Sequence, residues 1–148
     1  MTFFQGYEQY SIDDKGRVNI PARMRKVLPD DSSNTFILTR GNDNCVAAYP
    51  ISEWKKYMDM ISKLNQFDEK NRRFMRSFLK WNVEVVLDKQ NRITIPKSHL
   101  ELSEIKKSVV ILGQFDHIEF WDPDRLEQYE KNTDIGMEEL AEKVMLGN

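Results

Sequence analysis

The chain repeats itself, and this limits its fold more than any other feature. Tyr10-Ser-Ile-Asp-Asp-Lys-Gly-Arg-Val-Asn-Ile-Pro21 aligns with Val85-Val-Leu-Asp-Lys-Gln-Asn-Arg-Ile-Thr-Ile-Pro96 at an offset of 75 positions. Asp13 falls on Asp88, Arg17 on Arg92, Ile20 on Ile95 and Pro21 on Pro96. Similarity returns at an offset of 72, with Gly41 on Gly113 and Tyr49 on Trp121, and with the strand Phe36-Ile-Leu-Thr-Arg before the glycine standing against the one-residue-shorter Val109-Val-Ile-Leu. Each half reads strand, turn, strand, proline-started helix, strand, turn, strand, helix. One connecting loop is three residues shorter in the second half. Order kept across a deletion points to duplication.

The local chemistry agrees with that order. Val18 and Ile20, like Ile93 and Ile95, alternate with polar residues as half-buried strands do. Asp-Lys-Gly16-Arg forms a tight turn with Gly16 at positive φ, and Asn91 is the next-best residue for that conformation. Pro21 and Pro96 stop the strand and preset a helical turn. Thr35–Arg40 and Ser108–Leu112 read as apolar strands, returning through Cys45–Tyr49 and His117–Trp121. One such unit is too small to stand alone, and two packed together complete a barrel.

Between the repeats lies a helical pair. Ser52 is the expected N-cap of the first helix, with Trp54, Tyr57, Met58, Ile61 and Leu64 along one face. Asp68 caps the second, which sets Phe74, Phe78 and Leu79 on one side and Lys70, Arg72, Arg73, Arg76 and Lys80 around the rest. Asp122-Pro123 opens another helix. The tail Ile135–Leu146 is acidic, with a thin stripe of Met137, Leu140 and Val144 suited to docking on a neighbour. The expected organisation is one α+β unit over 1–148. It comprises a first repeat at 5–66, a linking helix at 67–82, a second repeat at 83–132 and a C-terminal helix at 133–148.

Charge is unevenly spread. The net charge is −2, which alone argues weakly against nucleic acid. Residues 108–148 hold three basic groups against ten acids, leaving residues 1–107 with 19 basic groups and 14 acids. The stretch from Lys15 to Leu28 holds Lys15, Arg17, Arg23, Arg25 and Lys26 and no acid. A local basic patch binds phosphate whatever the net charge, because salt screens the field within about 8–10 Å.

Several classes of function are set aside. A single cysteine, Cys45, leaves no internal disulfide and no Cys-rich zinc site. Val109–Leu112, the longest aliphatic run, is too short to span a bilayer. The Met-Thr-Phe-Phe-Gln-Gly start has no signal-peptide pattern, so the expectation is a soluble, cytoplasmic protein. His99 and His117 lack an acidic or histidine partner at helical spacing, so no metal is expected. No phosphate loop, nucleophile elbow or carboxylate pair is present, so neither an enzyme nor a cofactor is expected.

For Asp13 and Asp88 a structural clasp to Arg17 and Arg92 is favoured. For Arg17 contact with DNA is favoured, since a hairpin tip can place a guanidinium on guanine in the major groove. Lys15, Arg23, Arg25 and Lys26 then act as phosphate contacts. The second turn offers Lys89, Arg92 and Lys97, and the first is expected to dominate. Two classes remain: a sequence-specific DNA-binding regulator, and a non-enzymatic assembly module whose basic patch meets an acidic protein.

At its paired Asp-x-x-x-Arg turns the chain resembles the MraZ family, over essentially its whole length. Asp13-Asp-Lys-Gly-Arg17 with Val-Asn-Ile-Pro21, Tyr49-Pro-Ile-Ser-Glu-Trp54 and Val110-Ile-Leu-Gly-Gln-Phe-Asp-His-Ile-Glu-Phe-Trp121 carry the resemblance. Asn91 departs from the family's usual glycine. The resemblance implies an AbrB-like swapped-hairpin (double-split) β-barrel made by pseudo-twofold pairing of two half-barrels. It also implies a ring-shaped homo-oligomer and a nucleoid-associated transcriptional regulator. Its partner would be double-stranded promoter DNA, at short direct repeats before the division and cell-wall gene cluster.

Overall fold

The computed structural model describes residues 3–147. Met1, Thr2 and Asn148 lie outside them, and with them both ends of the expected 1–148 unit. The first half contains β1 (Tyr7–Ser11), β2 (Arg17–Asn19), α1 (Ala22–Arg25), β3 (Thr35–Arg40), β4 (Val46–Pro50) and α2 (Ile51–Ser62). After α3 (Glu69–Leu79) come β5 (Val83–Val86), β6 (Arg92–Thr94), α4 (Lys97–Ser103), β7 (Ser108–Gln114), β8 (His117–Trp121), α5 (Pro123–Lys131) and α6 (Met137–Met145). The fold is α+β.

The two halves have exchanged their first strands. The larger sheet is antiparallel and runs β1-β7-β8-β4-β3-β5, while β2 and β6 form a separate ribbon. β1 of the first half pairs with β7 of the second, and β5 of the second pairs with β3 of the first. The registers are reciprocal: Tyr10 faces Val109 and Val85 faces Phe36. β4 meets β8 at the centre, with Val46 opposite Phe120.

The ribbon closes one face of this sheet. Val18, Ile20, Ile93 and Ile95 turn inward and form one cluster with Phe36, Leu38, Val46, Val109, Ile111, Ile118 and Phe120, all fully buried. Side chains alternate along a strand, so burying Val18 and Ile93 aims their neighbours at solvent. On the other face a smaller cluster of Cys45, Val110 and Trp121 is covered by Leu126 of α5.

The helix boundaries follow local chemistry, with two corrections. Asp68 caps α3, accepting from the Lys70 N–H at 2.8 Å, and Asp122 caps α5, accepting from the Arg125 N–H at 3.1 Å. Ser52 does not cap α2. Pro50 occupies the cap position, and the Ser52 hydroxyl pairs with the Ser32 hydroxyl at 2.7 Å, tying the helix to the loop before β3. Leu79 does not share a side with Phe74 and Phe78. Phe78 stacks on Trp54 at 5.2 Å and Phe74 on Phe78 at 5.4 Å, while Leu79 projects from the opposite face. Five residues of helix turn through about 500°, so Leu79 lies well round from Phe74.

Among the described residues, no helix is long and apolar enough to cross a membrane.

Candidate nucleic-acid interface

Two short turns bracket the β2–β6 ribbon, and the same five-residue chemistry builds both. In the first, one Asp13 carboxylate oxygen accepts from the Lys15 N–H at 3.0 Å and the Arg17 N–H at 2.9 Å. The other accepts from Arg17 Nε at 2.6 Å. In the second, Asp88 accepts from the Gln90 N–H at 2.8 Å, the Arg92 N–H at 2.9 Å and Arg92 Nε at 2.9 Å. Gly16 sits at φ 80° and Asn91 at φ 62°, the left-handed conformation that lets each turn close.

The clasp sets both the charge state of the aspartates and the aim of the arginines. The Arg17 backbone N–H is the largest influence holding the Asp13 carboxyl below the usual carboxylate range, and that of Arg92 does the same for Asp88. Each guanidinium is held through Nε alone. Among the described residues neither Arg17 nor Arg92 has a hydrogen-bond partner at its two Nη atoms. Clasping and outward presentation thus coexist in one side chain, each arginine being oriented by its aspartate and still holding a free fork of donors.

Pairing across the ribbon brings the turns together. Arg17 lies opposite Thr94, Val18 opposite Ile93 and Asn19 opposite Arg92. Since Val18 and Ile93 point into the core, Arg17, Asn19, Arg92 and Thr94 share the outer face. Arg17 and Arg92 are diagonal neighbours, roughly 7–8 Å apart at the backbone. Asn19 and Thr94 were absent from the sequence-based site. Their signal was the strand alternation that placed Val18 and Ile93 inside.

The remaining cations divide into free and committed. Lys15, Lys26 and Lys89 are exposed, and among the described residues their side chains have no ion-pair partner. Arg23 reaches back to β1, donating to the Tyr7 carbonyl at 2.6 Å and pairing with Glu8 at 3.1 Å. Arg25 donates from Nε to the Ile20 carbonyl at 3.0 Å. The five cations between Lys15 and Leu28 therefore overstate the free charge at the first turn, where Asp14 also stands exposed beside Lys15.

Away from the ribbon, His117 has neighbours that helical spacing does not find. Its Nδ1 lies 2.7 Å from Asp116 and its Nε2 3.6 Å from Glu119. It stacks on Tyr49 at 4.4 Å. Strand alternation puts residues 117 and 119 on one face. The Tyr57 hydroxyl donates to Asp116 and Trp121 Nε1 to Glu119, so one polar network joins α2 to β8. His99 is a buried histidine with Nε2 2.7 Å from the Trp81 carbonyl. Cys45 is buried, and burial pushes its thiol pKa well up. Among the described residues no group of three or more His, Cys, Asp or Glu is placed to hold a metal ion.

Comparison with known proteins places this architecture. The family profile described as "MraZ protein, putative antitoxin-like" matches twice, over residues 3–77 and 78–147. A protein of Natranaerobius thermophilus named transcriptional regulator MraZ is 37% identical over 142 residues, covering 96% of each chain. Its namesake from Thermoanaerobacter pseudethanolicus is 40% identical, covering 93% of each chain. That from Cytophaga hutchinsonii is 34% identical, covering 98% of this chain and 96% of its own. Those relatives bear the name of a regulator and not of an enzyme. With both halves matched and near full-length identity above 30%, the chain belongs to the MraZ family.

Proposed function

We propose that this protein is a sequence-specific DNA-binding transcriptional regulator that reads promoter DNA with the outer face of the β2–β6 ribbon. The observation that carries the reading is the paired clasp, in which two aspartates orient two arginines with both Nη groups free. A two-stranded ribbon fits the major groove, and such a fork matches guanine O6 and N7. Arg17 and Arg92 supply base contacts, with Asn19 and Thr94 between them. Lys15, Lys26 and Lys89 contact phosphates, and Arg23 and Arg25 mainly hold α1 in place.

The exchange of first strands supports a swapped-hairpin, AbrB-like barrel, with 5–66 and 83–132 as its repeats, 67–82 as linker and 133–148 as terminal helix. The names borne by the relatives support transcription as the process. The operator we assign is a set of short direct repeats before the division and cell-wall gene cluster, bound in the cytoplasm on the nucleoid. One ribbon offers few contacts, so a homo-oligomer, a ring, presents several ribbons to successive repeats.

The test is titration of the protein against DNA carrying the repeats from its own promoter, and against the same bases scrambled. Specific readout predicts a ratio of at least about 10³ at physiological salt. Equal affinity for the two would overturn it and favour a basic patch that meets acidic protein instead.

A further inference from the structure

Helix α6 has no place in its own chain's core. Every residue from Met137 to Met145 is exposed, yet Met137, Leu140, Ala141 and Val144 follow at i, i+3, i+4 and i+7. That spacing is the stripe of a helix that packs on something. The surrounding charge is acidic: Asp134, Glu138, Glu139 and Glu142 against Lys143. Glu139 pairs with Lys143 at 3.7 Å. Glu138 and Glu142 run along one flank, without an ion-pair partner among the described residues.

Helix α3 has the complementary features. Its Phe74–Phe78 face packs towards Trp54. Its opposite face carries Arg72, Met75, Arg76 and Leu79, again at i, i+3, i+4 and i+7. With Gln66 these line an open cavity of about 400 Å³. Arg73 is paired with Glu69 at 3.3 Å, and Arg72 donates from one Nη to the Gln66 and Phe67 carbonyls at 3.2 and 2.9 Å, whereas Arg76 has no ion-pair partner among the described residues. Arg72 and Arg76 are four residues apart, as are Glu138 and Glu142, so the two charged rows match when the two apolar rows interlock.

We infer that α6 of one copy docks in the α3 groove of a second copy, with Leu140 and Val144 against Met75 and Leu79 and the Glu138–Glu142 row against Arg72 and Arg76. The inference rests on the homo-oligomeric part of the proposed function and names its contact. The other broad apolar hollow, between Phe3, Phe4, Val27, Leu28 and Phe115, carries Asp30, Glu53 and Asp116 against Lys26 and a Lys56 already paired with Glu53, so it offers an acidic helix less free positive charge than the α3 groove. A contact between two different surfaces, when it is not reciprocated within one pair, repeats head-to-tail and closes into a ring where the rotation allows.

The experiment is sedimentation velocity on the full chain, wild type and the charge reversals Glu142→Arg and Arg76→Glu, each alone and then mixed in equal amounts. Each variant alone should form smaller species, with the dissociation constant of assembly raised at least tenfold. The mixture should regain heavier species, because the reversed α6 of one variant meets the reversed α3 of the other and the alternate contact is wild type. Wild-type mass in either single variant overturns the inference, as does a mixture that stays small while both variants melt like wild type. Val144→Asp, on an exposed helix, is the second route. It should also dissociate the assembly, and an unchanged mass counts against the contact. A monomeric wild type would instead remove the homo-oligomeric reading itself, and the DNA titration would stand apart from it.

Discussion

Gly16 and Ile95 meet where the two halves touch. The Gly16 carbonyl accepts the Ile95 N–H at 2.8 Å, and a Cβ on Gly16 would stand 2.5 Å from the Ile95 carbonyl oxygen. Its φ of 80° adds a second constraint. Gly16→Ala should therefore destabilise the protein by about 1–2 kcal/mol from backbone strain alone, and by more once the clash is included. Asn91→Gly, at the equivalent turn, should change stability by less than about 1 kcal/mol. Urea melts of both variants check the pair. A Gly16→Ala protein as stable as wild type would contradict this account of the turn.

Arg17→Ala and Arg92→Ala should each weaken binding to repeat DNA by about 1–3 kcal/mol and relax preference at one base position. The two losses should be similar, because Arg23 and Arg25 near the first turn are bonded to Tyr7, Glu8 and Ile20. Lys15→Ala should weaken all sequences alike and reduce the salt slope by about one. Fluorescence anisotropy at several salt concentrations separates the two behaviours.

Asp13 and Asp88 have lowered pKa values in the folded protein, chiefly through the Arg17 and Arg92 backbone N–H groups. A lowered folded pKa means stability that is present above the unfolded value, about 3.9, and lost as pH falls through the folded value. Asp13→Asn should flatten the loss of stability between neutral pH and pH values below about 4. An unaltered acid profile in both Asp13→Asn and Asp88→Asn would refute the clasp's electrostatic role.

His117 behaves in the opposite sense. Burial lowers its pKa, but hydrogen bonds to Glu119 and Asp116 outweigh that and raise it above the ordinary value. A raised folded pKa means stability fully present below the unfolded value, about 6.5, and lost as pH rises through the folded value. His117→Gln should cost stability near pH 6 and much less near pH 9. NMR titration of the His117 ring gives the pKa directly, and a value below that of a free histidine would reverse the prediction.

The turns were legible in the sequence because their chemistry is local. Asp13 and Arg17 are four residues apart, and Gly16 and Asn91 announce a left-handed position. The exchange of strands was legible only through the family resemblance. β1 and β5 carry the same kind of pattern, and nothing in a strand of four or five residues states which half it will join. The basic patch was half legible. Counting cations found Arg23 and Arg25, but only the fold shows that Tyr7, Glu8 and Ile20 occupy them. His117 was missed because helical spacing was applied to a strand, where Glu119 at i+2 is the neighbour that matters. Leu79 was placed with Phe74 for a related reason, a helix face drawn too wide.

Because β1 and β5 have crossed over, neither half is a separable module. A half expressed alone lacks the strand that completes its sheet and would have to borrow it from a twin, so the peptide link between halves replaces a dimerisation equilibrium with a fixed, high effective concentration. The link also lifts a restriction. A dimer of identical halves must show the same turn twice, whereas this chain shows Asp14, Lys15 and Gly16 in one turn and Lys89, Gln90 and Asn91 in the other. Its two turns are free to drift apart in sequence, and whatever they face need not be palindromic.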